Sequence, residues 1–349
     1  MTALEEFLRE EIEAGSFPGA AVAVGSADGI LEEASAGHAA IEPDERPAGA
    51  GTLFDLASLT KPLCVGALVA AAGPRGLRLE DSPGRFLPEW KKTRFEGITL
   101  ERLLTHTSGL AAWHPLYARG EGAAAYRRTL AEMDPEVAAG ARVIYSDLNF
   151  LVLTDLLEIF FGAPLDRSFD ELVARPAGSG ARYLRTPDPG AAATEKGDRF
   201  ERAMTEARGL SYAHFREGVV CGEVHDGNAF RRGGVSGNAG LFGTARDVWA
   251  LARGWLEPRR VDFGVDRTAA LAEARGLAWQ GHRGAGSAIP EMGASSFGHT
   301  GFTGTSIWID PDRELIAVLL SNRIHPEVRE IPFNEVRQRF QRAVYARFS

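Results

Sequence analysis

Ser58-Leu59-Thr60-Lys61 sets a hydroxyl and an amine three residues apart, just ahead of a long apolar run. A serine hydroxyl is a poor nucleophile until a neighbouring base takes its proton. Residues i and i+3 share one face of a helix, so Lys61 would reach the Ser58 hydroxyl if a helix begins here. Serine is a favoured N-cap, and Pro62 would fall in the first turn, where its missing N–H has no helical partner to lose. Ser58 would then stand at the positive end of a helix, with free N–H groups beside it to hold an oxyanion. Taken alone, the tetrapeptide equally fits an ordinary amphipathic helix opened by a capping serine.

Two further stretches add to it. Tyr145-Ser146-Asp147 leads into the apolar Leu148-Asn149-Phe150-Leu151-Val152-Leu153, and His299-Thr300-Gly301 stands just before the strand-like Ser306-Ile307-Trp308-Ile309. S-x-x-K, then a tyrosine or serine triplet, then a K-T-G-like triplet is the signature set of the active-site-serine penicillin-recognising enzymes. The chain resembles that superfamily. Its tyrosine-containing second motif is similar to the branch of class C β-lactamases, D-aminopeptidases and family VIII carboxylesterases. The likeness runs along nearly the whole chain. Pro18-Gly19-Ala20-Ala21-Val22-Ala23-Val24 resembles the first core strand, and Leu103-Leu104-Thr105-His106-Thr107-Ser108-Gly109-Leu110 a recurrent helix-to-loop segment. Val224 to Ala229 and Gly233 to Phe242 resemble stretches of esterase-like and uncharacterised members.

This resemblance implies two-step acyl transfer, with Ser58 as nucleophile and Lys61 and Tyr145 sharing the role of base. A tyrosine hydroxyl needs positive charge nearby to act as a base, which Lys61 would supply. The oxyanion hole would use the N–H groups of Ser58 and Phe302. Thr300 and Gly301 would contact substrate. Two residues depart from the β-lactamase pattern. His299 replaces a lysine, and imidazole is mostly neutral at neutral pH, so a site for a substrate carboxylate loses fixed positive charge. Asp147 replaces an asparagine and adds a negative charge near Lys61. Both favour a small-acyl esterase over β-lactamase or D-amino-acid peptidase activity. A ligand-binding protein that keeps the fold without turnover is the reading from another class.

The elements that must position these groups follow from pattern. Apolar Leu4, Phe7, Leu8 and Ile12 have the spacing of an amphipathic first helix. Gly19 to Gly25 and Ile30 to Ser35 read as a hairpin, as do Gly304 to Ile309 and Leu315 to Ser321 around Asp310-Pro311-Asp312-Arg313. A last helix is expected from about Pro332 to Arg347, with Val336, Phe340 and Val344 inward and Arg337, Arg339, Arg342 and Arg347 on a solvated face. Ser146 is expected to cap the helix after Tyr145. Gly122-Ala123-Ala124-Ala125 is expected to be helical. The weakly patterned 178–232 stretch reads as a long connection across the mouth of a cleft. Together these give an α+β fold of the β-lactamase/transpeptidase type. An antiparallel sheet from both termini (about 1–57 and 233–349) is flanked by helices, with a mainly helical subdomain (about 58–232) inserted.

Composition narrows the function. A chain of 349 residues with 44% hydrophobic and 25% charged residues is that of a globular protein long enough for two packed subdomains. Its net charge of −8 and pI near 5.6 give no reason to expect nucleic acid or an anionic membrane as partner. The expected partner is a small acyl substrate, without cofactor or metal. The N-terminus has neither a basic nor an apolar leader region, and no segment reads as a bilayer span, so a cytoplasmic location is expected. Cys64 and Cys221 are expected to be reduced core residues. Other chemistries fit less well. Gly234-Val235-Ser236-Gly237 lacks a residue of the G-x-S-x-G elbow, which makes Ser236 a loop serine near the cleft. His106, His114 and His225-Asp226 lack zinc-ligand spacing. Gly281-His282-Arg283-Gly284-Ala285-Gly286 neither follows a clear strand nor opens a helix, as a nucleotide loop would.

Overall fold

A computed structural model of the chain describes residues 2–256, 274–283 and 285–348. Its first helix, α1 (Ala3–Glu13), opens on a capping box, in which the Thr2 side chain accepts from the Glu5 N–H and the Glu5 carboxylate accepts from the Thr2 N–H. Strands β1 (Gly19–Gly25), β2 (Ile30–Ala40) and β3 (Arg46–Pro47) follow. The C-terminal half supplies β4 (Arg275–Gly276), β5 (Trp279–Gly281), β6 (Phe297–Thr300), β7 (Ser306–Asp310) and β8 (Leu315–Ser321). These make one antiparallel sheet in the order β3-β2-β1-β8-β7-β6-β5-β4. The ends of the chain meet in its centre, where Val22 pairs with Leu319 and Ala23 with Val318.

Residues on β1 and β8 alternate between two cores, as period-two geometry requires. Ala21, Ala23, Ile316, Val318 and Leu320 pack toward the helical insertion. Ala20, Val22, Val24, Ala317 and Leu319 pack toward α1 and the last helix. Both faces are covered, which is why these strands read as unbroken apolar runs. β2 is longer than the pattern suggested, reaching Ala40, and β7 starts later, at Ser306.

Five helices carry the rest of the argument: α2 (Asp147–Phe161), α3 (Arg199–Glu206), α4 (Gly227–Arg231), α5 (Ala245–Arg253) and α6 (Phe333–Phe348). The alanine-rich stretch forms a helix over Ala123–Glu132. The 178–232 region is built rather than loose. It holds α3, α4 and the short strands Arg182–Tyr183, Ala193–Lys196 and Val219–Cys221. Cys64 is buried and Cys221 half-buried, and both are free thiols. Contrary to the sequence reading, Ala57–Arg75 is long and apolar enough for a span by composition, but two thirds of it (67%) is buried in the molecule. It is the core helix that carries Ser58.

The arginines of α6 correct another expectation. Arg337 is 7% exposed and donates to the carbonyls of Gly301 (2.7 Å) and Thr305 (3.1 Å). Phe333, Arg337, Phe340 and Val344 fall on one stripe at spacings of three and four, so Arg337 belongs to the inward face. Arg339 does reach the surface and pairs with Glu11.

Candidate active site

Ser58 sits in a 3₁₀ turn (Ala57–Leu59) that passes into a wide-pitched π segment (Lys61–Gly66) and then a regular helix (Ala67–Ala72). It lies inside the first turn and does not cap it. Ala57 holds φ +48°, a left-handed conformation that costs a non-glycine residue about 1–3 kcal/mol. The surroundings fix it. Asp55 Oδ1 accepts from the Ala57 N–H at 2.8 Å, Asp55 Oδ2 from the His225 N–H at 2.8 Å, and the Leu56 carbonyl from Thr305 Oγ1 at 3.1 Å. The elbow presents Ser58 to a cleft of about 460 Å³, within the range of small-molecule sites.

Lys61 is fully buried, and its ammonium donates to Ser58 Oγ (2.9 Å) and the Asn238 carbonyl (2.9 Å). Asp147 Oδ1 lies 2.6 Å away as an ion pair. Burial alone would lower the pKa of Lys61, but Asp147 and Tyr145 outweigh it and hold the amine above its ordinary value. An unpaired buried ammonium costs several kcal/mol, so the carboxylate decides its charge. The Tyr145 ring is enclosed by His106 stacked at 4.5 Å and His299 at 5.9 Å, with Lys61 Nζ at 5.1 Å and the Arg275 guanidinium at 5.4 Å from its centroid. His106 is itself fixed, since its Nδ1 accepts from the Ser146 N–H at 2.9 Å. Ser146 occupies the N-cap position of α2, yet its hydroxyl donates to the Ala111 carbonyl (2.6 Å) instead of capping.

β6 brings the third motif against the elbow. A Cβ on Gly301 would come within 2.1 Å of Thr305 Oγ1, 2.8 Å of the Leu56 carbonyl and 3.2 Å of Ala57 Cβ, so only glycine allows this approach. Thr300, Gly301 and Phe302 line the cleft. Phe302, in the loop after β6, makes no backbone N–H bond outside helices and strands among the described residues, and it lines the cleft together with Ser58. His299 is placed differently from the expectation. It lies behind Tyr145, outside the cleft wall, with Nδ1 against the Thr300 carbonyl at 2.9 Å. Burial, with Lys61 and Arg275 nearby, pushes its pKa well below the usual histidine value, so the ring is neutral.

The sequence reading missed the arginines. Arg337 and Arg323 both line the cleft beside Gly301 and Phe302. Arg323 Nε donates to the Phe302 carbonyl at 2.9 Å, and Arg337 Nη1 to Asn334 Oδ1 at 2.8 Å. Neither has a carboxylate partner among the described residues. Burial, then the other arginine, lowers Arg337 to about 9. The cleft therefore has two guanidinium groups on its wall besides the neutral His299 behind Tyr145. Other side chains fall elsewhere. Ser236 is buried with its hydroxyl on Asn238 Oδ1 (2.6 Å), and His225 Nε2 pairs with Glu195 at 2.9 Å. Among the described residues no three His, Cys, Asp or Glu gather as metal ligands. Gly281–His282–Arg283 closes β5, while Gly284 lies outside the described residues.

The elbow serine, its buried lysine and the tyrosine two residues before the facing helix α2 share one cleft on a β-lactamase/transpeptidase-like fold. The chain belongs to the Beta-lactamase family, whose profile matches residues 4–338. It is 30% identical over 320 residues to a protein of Escherichia coli K12 named "Putative D-alanyl-D-alanine carboxypeptidase", covering 80% of this chain and 71% of that protein. A Salmonella agona protein of the same name is 29% identical over 313 residues, with 79% and 71% covered. Among solved structures, EstCE1, described as a hydrolase with promiscuous acyltransferase activity, superposes with a TM-score of 0.73 at 19% identity over 96% of this chain and 97% of its own. A class C β-lactamase gives 0.72 at 17% identity, covering 97% and 95%.

Proposed function

We propose that Ser58 hydrolyses acyl substrates whose leaving portion carries a carboxylate, the chemistry of a D-amino-acid peptidase or amidase. In the first step Ser58 Oγ attacks the carbonyl carbon, and its proton passes to the Tyr145 oxygen, which takes it as a phenolate held beside the Lys61 ammonium. The N–H groups of Ser58 and Phe302 receive the oxyanion. The proton then moves to the leaving nitrogen or oxygen as its bond to carbon breaks. Water, deprotonated by the same tyrosine, releases the acyl group from Ser58.

The observation that carries the substrate reading is the uncompensated guanidinium pair, Arg337 and Arg323, on the wall beside Gly301. Guanidinium groups recognise carboxylates through paired, charge-assisted hydrogen bonds. The names of the curated relatives lie in the same direction. A small-acyl esterase is the second reading, supported by the neutral His299 where a lysine is usual.

A panel of D-alanyl-D-alanine peptide, p-nitrophenyl butyrate and nitrocefin separates the two. Arg337→Met and Arg323→Met should each lower kcat/KM for the peptide at least 10-fold relative to the butyrate. The comparison is a ratio because Arg337 also braces Gly301. Butyrate turnover alone, with both variants leaving its rate untouched, would give the esterase reading instead.

A further inference from the structure

The wall of the cleft built by α3 and α4 has the opposite charge. Glu201, Asp226 and Asp147 all line it. Asp147 is matched by Lys61, but the other two carboxylates have no lysine or arginine at ion-pair distance among the described residues. Arginines of the same region are directed elsewhere: Arg216 and Arg231 pair with Asp198, Arg232 with Asp155 and Glu158, and Arg202 lies over the Phe215 ring. Glu201 is 4% exposed. Its Oε2 accepts from the Gly227 N–H at 2.7 Å, and its Oε1 has no hydrogen-bond partner. Tyr117 Oη, the neighbouring hydroxyl, is bonded to Thr205 Oγ1 at 3.0 Å. Asp226 uses Oδ1 on the Ala229 N–H at 2.7 Å. Burial and the Asp226 charge push Glu201 up to about 8, as expected of acids placed together without a cation.

A buried carboxylate oxygen without a partner, in a pair of acids without a cation, is costly unless a ligand completes it. We infer that Glu201 and Asp226 form a cation subsite of the Ser58 cleft that receives a substrate ammonium group. With Arg337 and Arg323 on the other wall, the cleft then accepts unblocked amino-acid derivatives, amine toward α3 and α4, carboxylate toward α6. The apolar Phe200, Met204 and Trp113 on the same side leave room for a small side chain. A free amine is distinguished from its acylated form because acylation removes the charge and leaves the acids unpaired. This rests on the acyl-hydrolase reading of the same cleft and adds to it the state of the substrate's amino group.

The test uses protection of Ser58, so that it does not depend on turnover. Labelling by a neutral fluorophosphonate is followed by mass while D-alaninamide or N-acetyl-D-alaninamide is added. D-Alaninamide should protect at a concentration at least 10-fold lower than its acetylated form. Glu201→Gln and Asp226→Asn should each erase most of that difference. Equal protection by the two amides, or a preference that survives both substitutions, overturns the subsite. Protection that requires added calcium and vanishes with EDTA overturns it too, in favour of a metal site. Failure of Ser58 to be labelled at all, by contrast, is a failure of the hydrolase reading.

Discussion

Lys61 has its ammonium between Ser58 Oγ, the Asn238 carbonyl and Asp147, an arrangement that favours its charged form. Its pKa is held up, so it stays protonated at neutral pH and is lost as a cation only on the alkaline side. Asp147→Asn removes the charge that opposes burial, so Lys61 should give up its proton at lower pH. The alkaline limb of kcat/KM against pH should therefore move to lower pH. Tyr145→Phe should cost about 10²–10⁴ in kcat, the usual worth of a positioned acid–base group. If Tyr145→Phe keeps most activity while Lys61→Met destroys it, Lys61 is the base. The three groups were legible because S-x-x-K is a local spacing and the order of motifs constrains the rest. His299 was legible as a residue but not as a position, because the sequence cannot say that the strand turns its ring behind Tyr145.

Among the elements, the contact of β6 with the serine elbow is the tightest constraint on the site. Gly301→Ala would drive a methyl into Thr305 and the Leu56 carbonyl, forcing strand and elbow apart. Near-attack geometry tolerates little displacement, so kcat/KM should fall at least 10²-fold while the protein still folds. Circular dichroism alongside kinetics checks this; an active, folded Gly301→Ala enzyme would show that β6 does not set the oxyanion geometry. Strands β1 and β8 were readable from their apolar runs, and α1 from its spacing. The sheet's outer strands were less so, being only two or three residues long at β3, β4 and β5. The 3₁₀ turn and π segment under Ser58 escaped because a regular helix and this distorted one have the same apolar pattern.

Over the whole molecule, residues far apart in sequence make one cleft with charge of two signs. Asp226 and Glu201 come from the inserted region, while Arg323 and Arg337 come from the C-terminal end. Pattern reading placed Arg337 on the surface because arginine is usually exposed, although its stripe with Phe333 and Phe340 already pointed inward. Glu201 carried no such signal: its burial depends on Gly227 approaching from another helix. What unites both walls is a single nucleophile, and it can be examined directly. Intact-protein and peptide mass spectrometry after fluorophosphonate treatment should find one adduct, on the peptide carrying Ser58, and none in Ser58→Ala. Ser236 is the rival serine, but it is buried with its hydroxyl bonded to Asn238. An adduct on Ser236, or one that persists undiminished in Ser58→Ala, would contradict the account.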